Sequence, residues 1–315
     1  MPTAKEIVNE SRKELVKEII ENMKKGFLFS QDRWDKEAIR PHNPISKAKY
    51  QGVNRMRLAY QAIKKGYKDP RWVTFLQAKE NGWEINSKEK GTLCEKWIWT
   101  KEIKELDEDK KEVKKIIQLK VPIVNYFTLF NATQITGMPE YNKKEKNDTE
   151  LFELANDLIN CSECPINEIA QEKCFYSPIK DEIILTPRRY FKSEEAFIAT
   201  LLHEMSHSTG HESRLNRNII NVFGTNEYAK EELRAELGAI FVEADLNFDL
   251  KGENKIDHTN YLKSWISVLE DNPDELFKAC NDSSKILERI IENYNNYIEL
   301  EKNNKQEMED CVFEM

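Results

Sequence analysis

Long apolar runs are missing from this sequence: nothing in its 315 residues approaches 18 consecutive apolar positions, which excludes a membrane-spanning helix and predicts no membrane partner. The first 30 positions alternate charged and apolar residues and build no signal-peptide core, so the protein is expected to stay in the compartment where it is made. Cysteine is sparse and scattered. Cys161 and Cys164, with Cys174 nearby, carry the spacing of a metal or redox site but lack a paired second half, and Cys94, Cys280 and Cys311 stand alone, so all six are read as structural. Scattered thiols in a lysine-rich chain point to a reducing, cytoplasmic setting. Histidine is scarcer still, at five residues, yet two of the five stand four positions apart.

What is present is ordinary soluble composition, 33% charged and 39% hydrophobic, in a chain long enough for two domains. The net charge of −8 conceals two opposite halves. Residues 1 to 150 hold 31 Lys/Arg against 23 Asp/Glu, a net of +8, whereas residues 151 to 315 hold 17 against 33, a net of −16. An acidic protein is a poor candidate for nucleic acid, but a basic N-terminal half is a good one.

The two close histidines belong to Leu201-Leu202-His203-Glu204-Met205-Ser206-His207. On a helix, positions i and i+4 share a face, so both imidazoles reach one zinc ion while Glu204 points at the water that the ion would hold, placed as a general base. The flanks supply the helix: Ser193 as N-cap, Glu194 and Glu195 in the first turn, and Gly210 as C-cap, about 16 residues in all. A metzincin would continue to a third histidine at position 213, where the residue is Ser213. His211 comes two residues too early and reads as a loop or capping histidine.

A zinc site needs a third protein ligand, and the stretch from Asn226 to Ala244 offers carboxylates for it. Projected at about 100° per residue, Ala229, Leu233, Leu237, Ile240 and Ala244 form one apolar arc and Ala235, Ala239 and Val242 another. Glu232, Glu236 and Glu243 fall between the arcs, whereas Lys230, Glu231 and Arg234 fall opposite. Carboxylates on an apolar face either form buried ion pairs or bind a cation, and the residues alone leave both open. The Glu232/Glu236 spacing resembles the second helix of thermolysin-like zincins. That resemblance implies Glu232 as third ligand and Glu236 as the partner that orients a zinc-bound histidine, with the two roles open to exchange. It also implies a vacancy for an oxyanion donor, for which His258, ahead of Tyr261 and Trp265 at helical spacing, is the candidate. The alternative for His258 is an N-cap or surface histidine.

In the basic half, five of the six tryptophans lie before residue 100, interleaved with tyrosines and cations. Flat aromatics stack on unpaired bases while Lys and Arg neutralise phosphates, the chemistry of single-stranded nucleic-acid binding. The candidates are Lys47, Lys49, Tyr50, Asn54, Arg55, Arg57, Lys68, Arg71, Trp72, Lys88 and Lys90. The segments Gly52-Val53-Asn54, Tyr67 through Ala78, Lys88-Glu89-Lys90-Gly91 and Phe130 through Ile135 resemble the N-terminal single-stranded-DNA-binding domain of ArdC-type antirestriction proteins. His203 through His211, Ser213 through Arg217 and Glu231 through Leu237 resemble that family's C-terminal zincin domain. The match runs in order from about residue 5 to about residue 290 and departs from the family in the charged excursion at 101 to 120 and in the acidic tail.

The expectation is therefore an α+β protein of two domains: residues 1–145, mixed α/β and binding single-stranded DNA, and residues 146–315, a mainly helical zincin-like metallopeptidase domain with a small sheet. One Zn2+ per chain is expected, another divalent transition metal being the alternative, and a protein or peptide is the implied substrate. The rival reading is a non-catalytic protein that coats single-stranded DNA or occludes a restriction enzyme, its zinc site structural. Helices are expected over 4–25, about 55–65, about 193–209 and 226–244, and from 259 to about 300 with a break at Pro273. A strand is expected around Trp97-Ile98-Trp99, a solvated loop or hairpin tip over 101–115, and a returning strand over 121–131.

Overall fold

The computed structural model describes residues 1–26, 39–106, 112–142, 146–247 and 259–313. Helix α1 (Ala4–Lys24) starts at a capping box, in which the Thr3 side chain accepts from the Glu6 amide and the Glu6 carboxylate accepts from Thr3. Its apolar stripe, Val8, Leu15, Val16, Ile19 and Met23, is buried. Helix α2 (Gly52–Lys65) closes at Gly66 in the left-handed conformation, φ 70°. A three-stranded antiparallel sheet follows in the order β1-β4-β3, made of β1 (Trp72–Thr74), β3 (Thr92–Leu106) and β4 (Glu112–Asn131). Short α3 (Phe75–Glu80) and the pair β2 (Glu84–Ile85) with β5 (Ile135–Thr136) flank it. The segment expected as a loop or hairpin tip is mostly strand, since β3 and β4 stay paired from Lys101↔Ile117 to Leu106↔Glu112 although most of these side chains are charged.

The second half opens with α4 (Asp148–Asn160), capped by Asn147, and a small mixed sheet in the order β6-β8-β7: β6 (Ile166–Glu168), β7 (Phe175–Ser177) and β8 (Glu182–Leu185). Helices α5 (Glu194–Ser208), α6 (Asn226–Leu246), α7 (Thr259–Asp271) and α8 (Asp274–Phe313) complete it. The architecture is α+β, with a mixed N-terminal part and a helical C-terminal part carrying a small sheet. Among the described residues, no helix is long and apolar enough to cross a membrane.

The core does not divide where the sequence changes charge. One continuous apolar cluster joins Leu15, Ile19, Val53 and Met56 of the N-terminal helices to Leu202, Phe241, Trp265 and Ile286 of the C-terminal ones. A polar joint reinforces it. The Arg55 guanidinium, 2% exposed, lies 3.1 Å from Asp245 and donates to the backbone carbonyls of Ile39 and Phe241, while Lys49 reaches the other Asp245 oxygen at 2.6 Å. At Gly52, φ 55°, a Cβ would stand 2.6 Å from the Asn281 side chain, so a side chain there would be strained in backbone and would have to displace Asn281 of α8.

A candidate metal centre between two helices

Helix α5 begins where Ser193 accepts a hydrogen bond from the Ala196 amide, and Glu194 and Glu195 occupy its first turn. It ends at Ser208 rather than at Gly210. Gly210 serves instead a close approach, since a Cβ there would lie 2.4 Å from Ile219 and 3.0 Å from the Arg217 guanidinium. Helix α6 is capped by Thr225 and crosses α5 at small side chains: a Cβ on Gly238 would meet Ile286 at 2.9 Å and Ser206 Oγ at 3.1 Å. This close crossing sets the glutamates of α6 against the histidines of α5.

The Nε2 atoms of His203 and His207 stand 3.2 Å apart, their rings at 84°. Glu232 closes the triangle, with Oε1 3.5 Å from His207 Nε2 and Oε2 3.7 Å from His203 Nε2. A tetrahedral zinc with nitrogen and oxygen ligands at about 2.0–2.2 Å separates its ligand atoms by about 3.3–3.5 Å. The three residues therefore fit a small divalent cation, and they are the one such group of three among the described residues. The opposite face of His203 turns to Glu236, Nδ1 to Oε2 at 3.6 Å, and His203 Nδ1 has no closer hydrogen-bond partner. The Glu204 side chain, 7% exposed, lies near enough for its charge to act on the His203 imidazole.

Electrostatics favour positive charge here. Burial alone would push the His203 imidazole down, but Glu232, Glu236 and the charge of Glu204 outweigh burial and hold it well above the ordinary histidine range. Burial raises Glu232, yet its contacts with His203, His207 and Tyr228 bring it below the usual carboxylate value.

The helical projection missed Glu231. Assigned to the face opposite the apolar arcs, it is 5% exposed, lies 3.3 Å from His207 Nδ1 and receives Arg217 Nη2 at 2.8 Å. The reason is tertiary: the loop after α5 folds Arg217 over that side of α6 and ties it to Ser206 O and Thr209 Oγ1. Tyr228, one turn before Glu232 and bonded to its carboxylate, was also unassigned. The Ser213 to Arg217 stretch, quoted above only for its resemblance, was the available signal for Arg217. His211 sits in the turn after the helix, 2.8 Å from Ser213 Oγ. His258, the candidate oxyanion donor, lies outside the described residues.

The DNA-binding candidates separate by environment. Trp72 is fully buried, Arg55 is held at Asp245, and Arg57 is buried beside Glu95 and Ser11. Asn54 exchanges hydrogen bonds with the Glu95 backbone, 2.8 Å and 2.9 Å. These four hold the fold rather than present a surface: Asn54, Arg55 and Arg57 lie on α2, sandwiched between the sheet and α8, and Trp72 of β1 is buried against Leu58 and Ala62 of α2. Tyr50 donates to Trp72 O at 3.3 Å, and burial pushes its phenol up to about 12. Arg71 is bidentate on Asp69, and Lys49 is exposed but paired with Asp245. Lys47, Lys68, Lys88 and Lys90 are exposed, as is the ring of Phe75.

Comparison with known proteins agrees with this geometry at both ends. Residues 9–130 match the family described as the N-terminal domain of anti-restriction factor ArdC, and residues 153–282 match a zincin-like metallopeptidase family. The chain is 34% identical over 288 residues to a DNA primase TraC of Escherichia coli, covering 88% of this chain but 19% of the primase, so it spans about a fifth of that relative. The metal-free crystal structure of the antirestriction ArdC protein from plasmid R388 superposes with a TM-score of 0.71 at 30% identity, over 90% of this chain and 98% of that one. Its Mn(II)-bound form gives 0.70 at 29% identity, with the same coverage.

Proposed function

This chain belongs to the ArdC-type antirestriction family, and from that premise we propose that it binds single-stranded DNA through its N-terminal region and hydrolyses a peptide bond at a zinc site held by His203, His207 and Glu232. The family resemblance and the Mn(II)-bound relative support a divalent metal. Zinc is the finer assignment, favoured by the two imidazoles and by ligand-atom separations close to tetrahedral. When bound, the metal supplies Lewis acidity, lowering the pKa of a water and polarising a carbonyl.

The chain's own residues do the rest. His203 presents Nε2 to the site while Glu236 faces its other nitrogen and fixes the ring, which favours Glu232 over Glu236 as the ligand. Glu231, anchored by Arg217, does the same for His207. Glu204 would accept a proton from the attacking water and hand it to the leaving amine as the C–N bond breaks.

The observation that carries the catalytic reading over a purely structural site is Glu204 itself. Its carboxylate lies beside His203 yet is not one of the three residues grouped to hold the ion, which is where a general base is needed and where a structural site has no use for one. The experiment is Glu204→Gln in the full chain, assayed against an unfolded protein such as casein. Metal content is expected to stay at wild-type level while turnover falls by about 10²–10⁴-fold, the usual span for a general base. Equal turnover in both proteins would leave the structural reading standing.

On the DNA side, the exposed Lys47, Lys68, Lys88 and Lys90 with the ring of Phe75 form the available surface. We put the boundary between the DNA-binding and metal-binding regions near residue 145, and the free thiols among the described residues fit a cytoplasmic location.

A further inference from the structure

The β3–β4 hairpin carries its own surface, away from the metal and the basic loops. Strand β1 pairs with β4 only at Leu129, Phe130 and Asn131, so beyond Ile98 the hairpin is a two-stranded arm, paired from Thr100↔Gln118 to Leu106↔Glu112. Such ribbons are marginal in water without a third strand. The outer edge of β3 pairs with no strand among the described residues, which leaves a row of backbone donors and acceptors open. Trp99, Ile116 and Val121 are 49%, 73% and 68% exposed on the arm.

Its charges are mostly spent internally. Lys104 pairs with Glu112, Lys114 with Glu102 and Lys115 with Glu105, at 2.7, 2.9 and 3.0 Å. Among the described residues, Lys101 and Lys120 are the arm's lysines without a salt-bridge partner. Lys104 and Lys114 stand directly opposite each other, a like-charge pair. An arm neutralised in this way is poorly suited to phosphates, which require uncompensated cations.

We infer that the outer edge of β3 is a self-pairing seam that joins two copies of this chain, strand to strand and antiparallel, about a two-fold axis at Ile103. The sequence Lys101-Glu102-Ile103-Lys104-Glu105 is its own charge complement in that register. Lys101 falls opposite the partner's Glu105, Glu102 opposite the partner's Lys104, and Ile103 opposite the partner's Ile103. The unpaired Lys101 gains a carboxylate, and Lys104 gains one on the side away from Lys114. The two hairpins become one four-stranded sheet, which removes both the open edge and the isolation of the ribbon.

Sedimentation velocity of the full chain across a wide concentration range tests the seam. A reversible dimer is expected. Lys101→Glu places like charges at two symmetric positions and should raise the dimer dissociation constant about tenfold or more, while Lys101→Glu/Glu105→Lys restores it. Paired antiparallel residues have Cα atoms about 4.5–5.5 Å apart, within disulfide range. Under mild oxidation, Ile103→Cys should therefore link two chains, while Thr100→Cys, opposite the partner's Leu106, should not. Unchanged thermal melting of each variant shows that the fold is intact. A monomer at every concentration, a dimer indifferent to Lys101→Glu, or an Ile103→Cys protein that fails to link would each overturn the inference, including the case in which the arm instead captures DNA or another protein.

Discussion

Arg55 and Asp245, from opposite halves of the chain, form an ion pair at 3.1 Å with both side chains under 5% exposed. The pair stitches α2 to α6, the helix that carries Glu232. The N-terminal half thus helps to position the metal site rather than hanging from it.

Removing one member of a buried pair strands the other, at a cost of about 3–5 kcal/mol. Arg55→Met is accordingly expected to lower the urea midpoint substantially and to leave DNA affinity unchanged wherever the protein remains folded. Unaltered stability with weakened DNA binding would return Arg55 to the DNA surface.

Burial pushes the Asp245 carboxyl up, but Arg55 and Lys49 outweigh it and hold its pKa below the usual aspartate value. A depressed folded pKa contributes stability that is present above the unfolded value, about 3.9, and is lost as pH falls through the folded one. Melting temperature should therefore drop below about pH 4, and Asp245→Asn should melt lower at neutral pH with a shallower acid limb. An acid limb of unchanged steepness would assign the transition to other carboxylates.

The local signals were legible in sequence: Ser193 as a cap, the helix over 4–25, the pairing of His203 with His207, and a carboxylate on the facing helix. What the sequence concealed was tertiary. Arg55 and Trp72 have the composition of a nucleic-acid surface, and only the sandwiching of α2 between sheet and α8 shows them to be core. Glu231 looked solvated because a helical wheel cannot see the loop that brings Arg217 over it. The arm was obscured because charged residues occupy strand positions that nothing covers.

Single-stranded DNA should bind more tightly than duplex and weaken steeply with salt, because Lys47, Lys68, Lys88 and Lys90 release counterions from phosphates. Replacing all four by Gln is expected to reduce the slope of log K against log salt by about 3, roughly 0.7 per phosphate contact on a single strand. Fluorescence anisotropy at several salt concentrations reads it. Affinity independent of salt, or equal for both DNA forms, would count against this surface.

Glu232 and Glu236 are separable by metal titration. Glu236→Gln should weaken metal binding about 10- to 100-fold through a loosened His203 ring, whereas Glu232→Gln, which removes a ligand, should weaken it further. The reverse ranking would exchange their roles.

The most direct measurement is an anomalous difference map from crystals of this chain grown with zinc, collected on both sides of the zinc edge. One peak per chain is expected, about 2.0–2.2 Å from His203 Nε2, His207 Nε2 and a Glu232 carboxylate oxygen. No peak between α5 and α6, or one coordinated by Glu236 in place of Glu232, would contradict the proposed site.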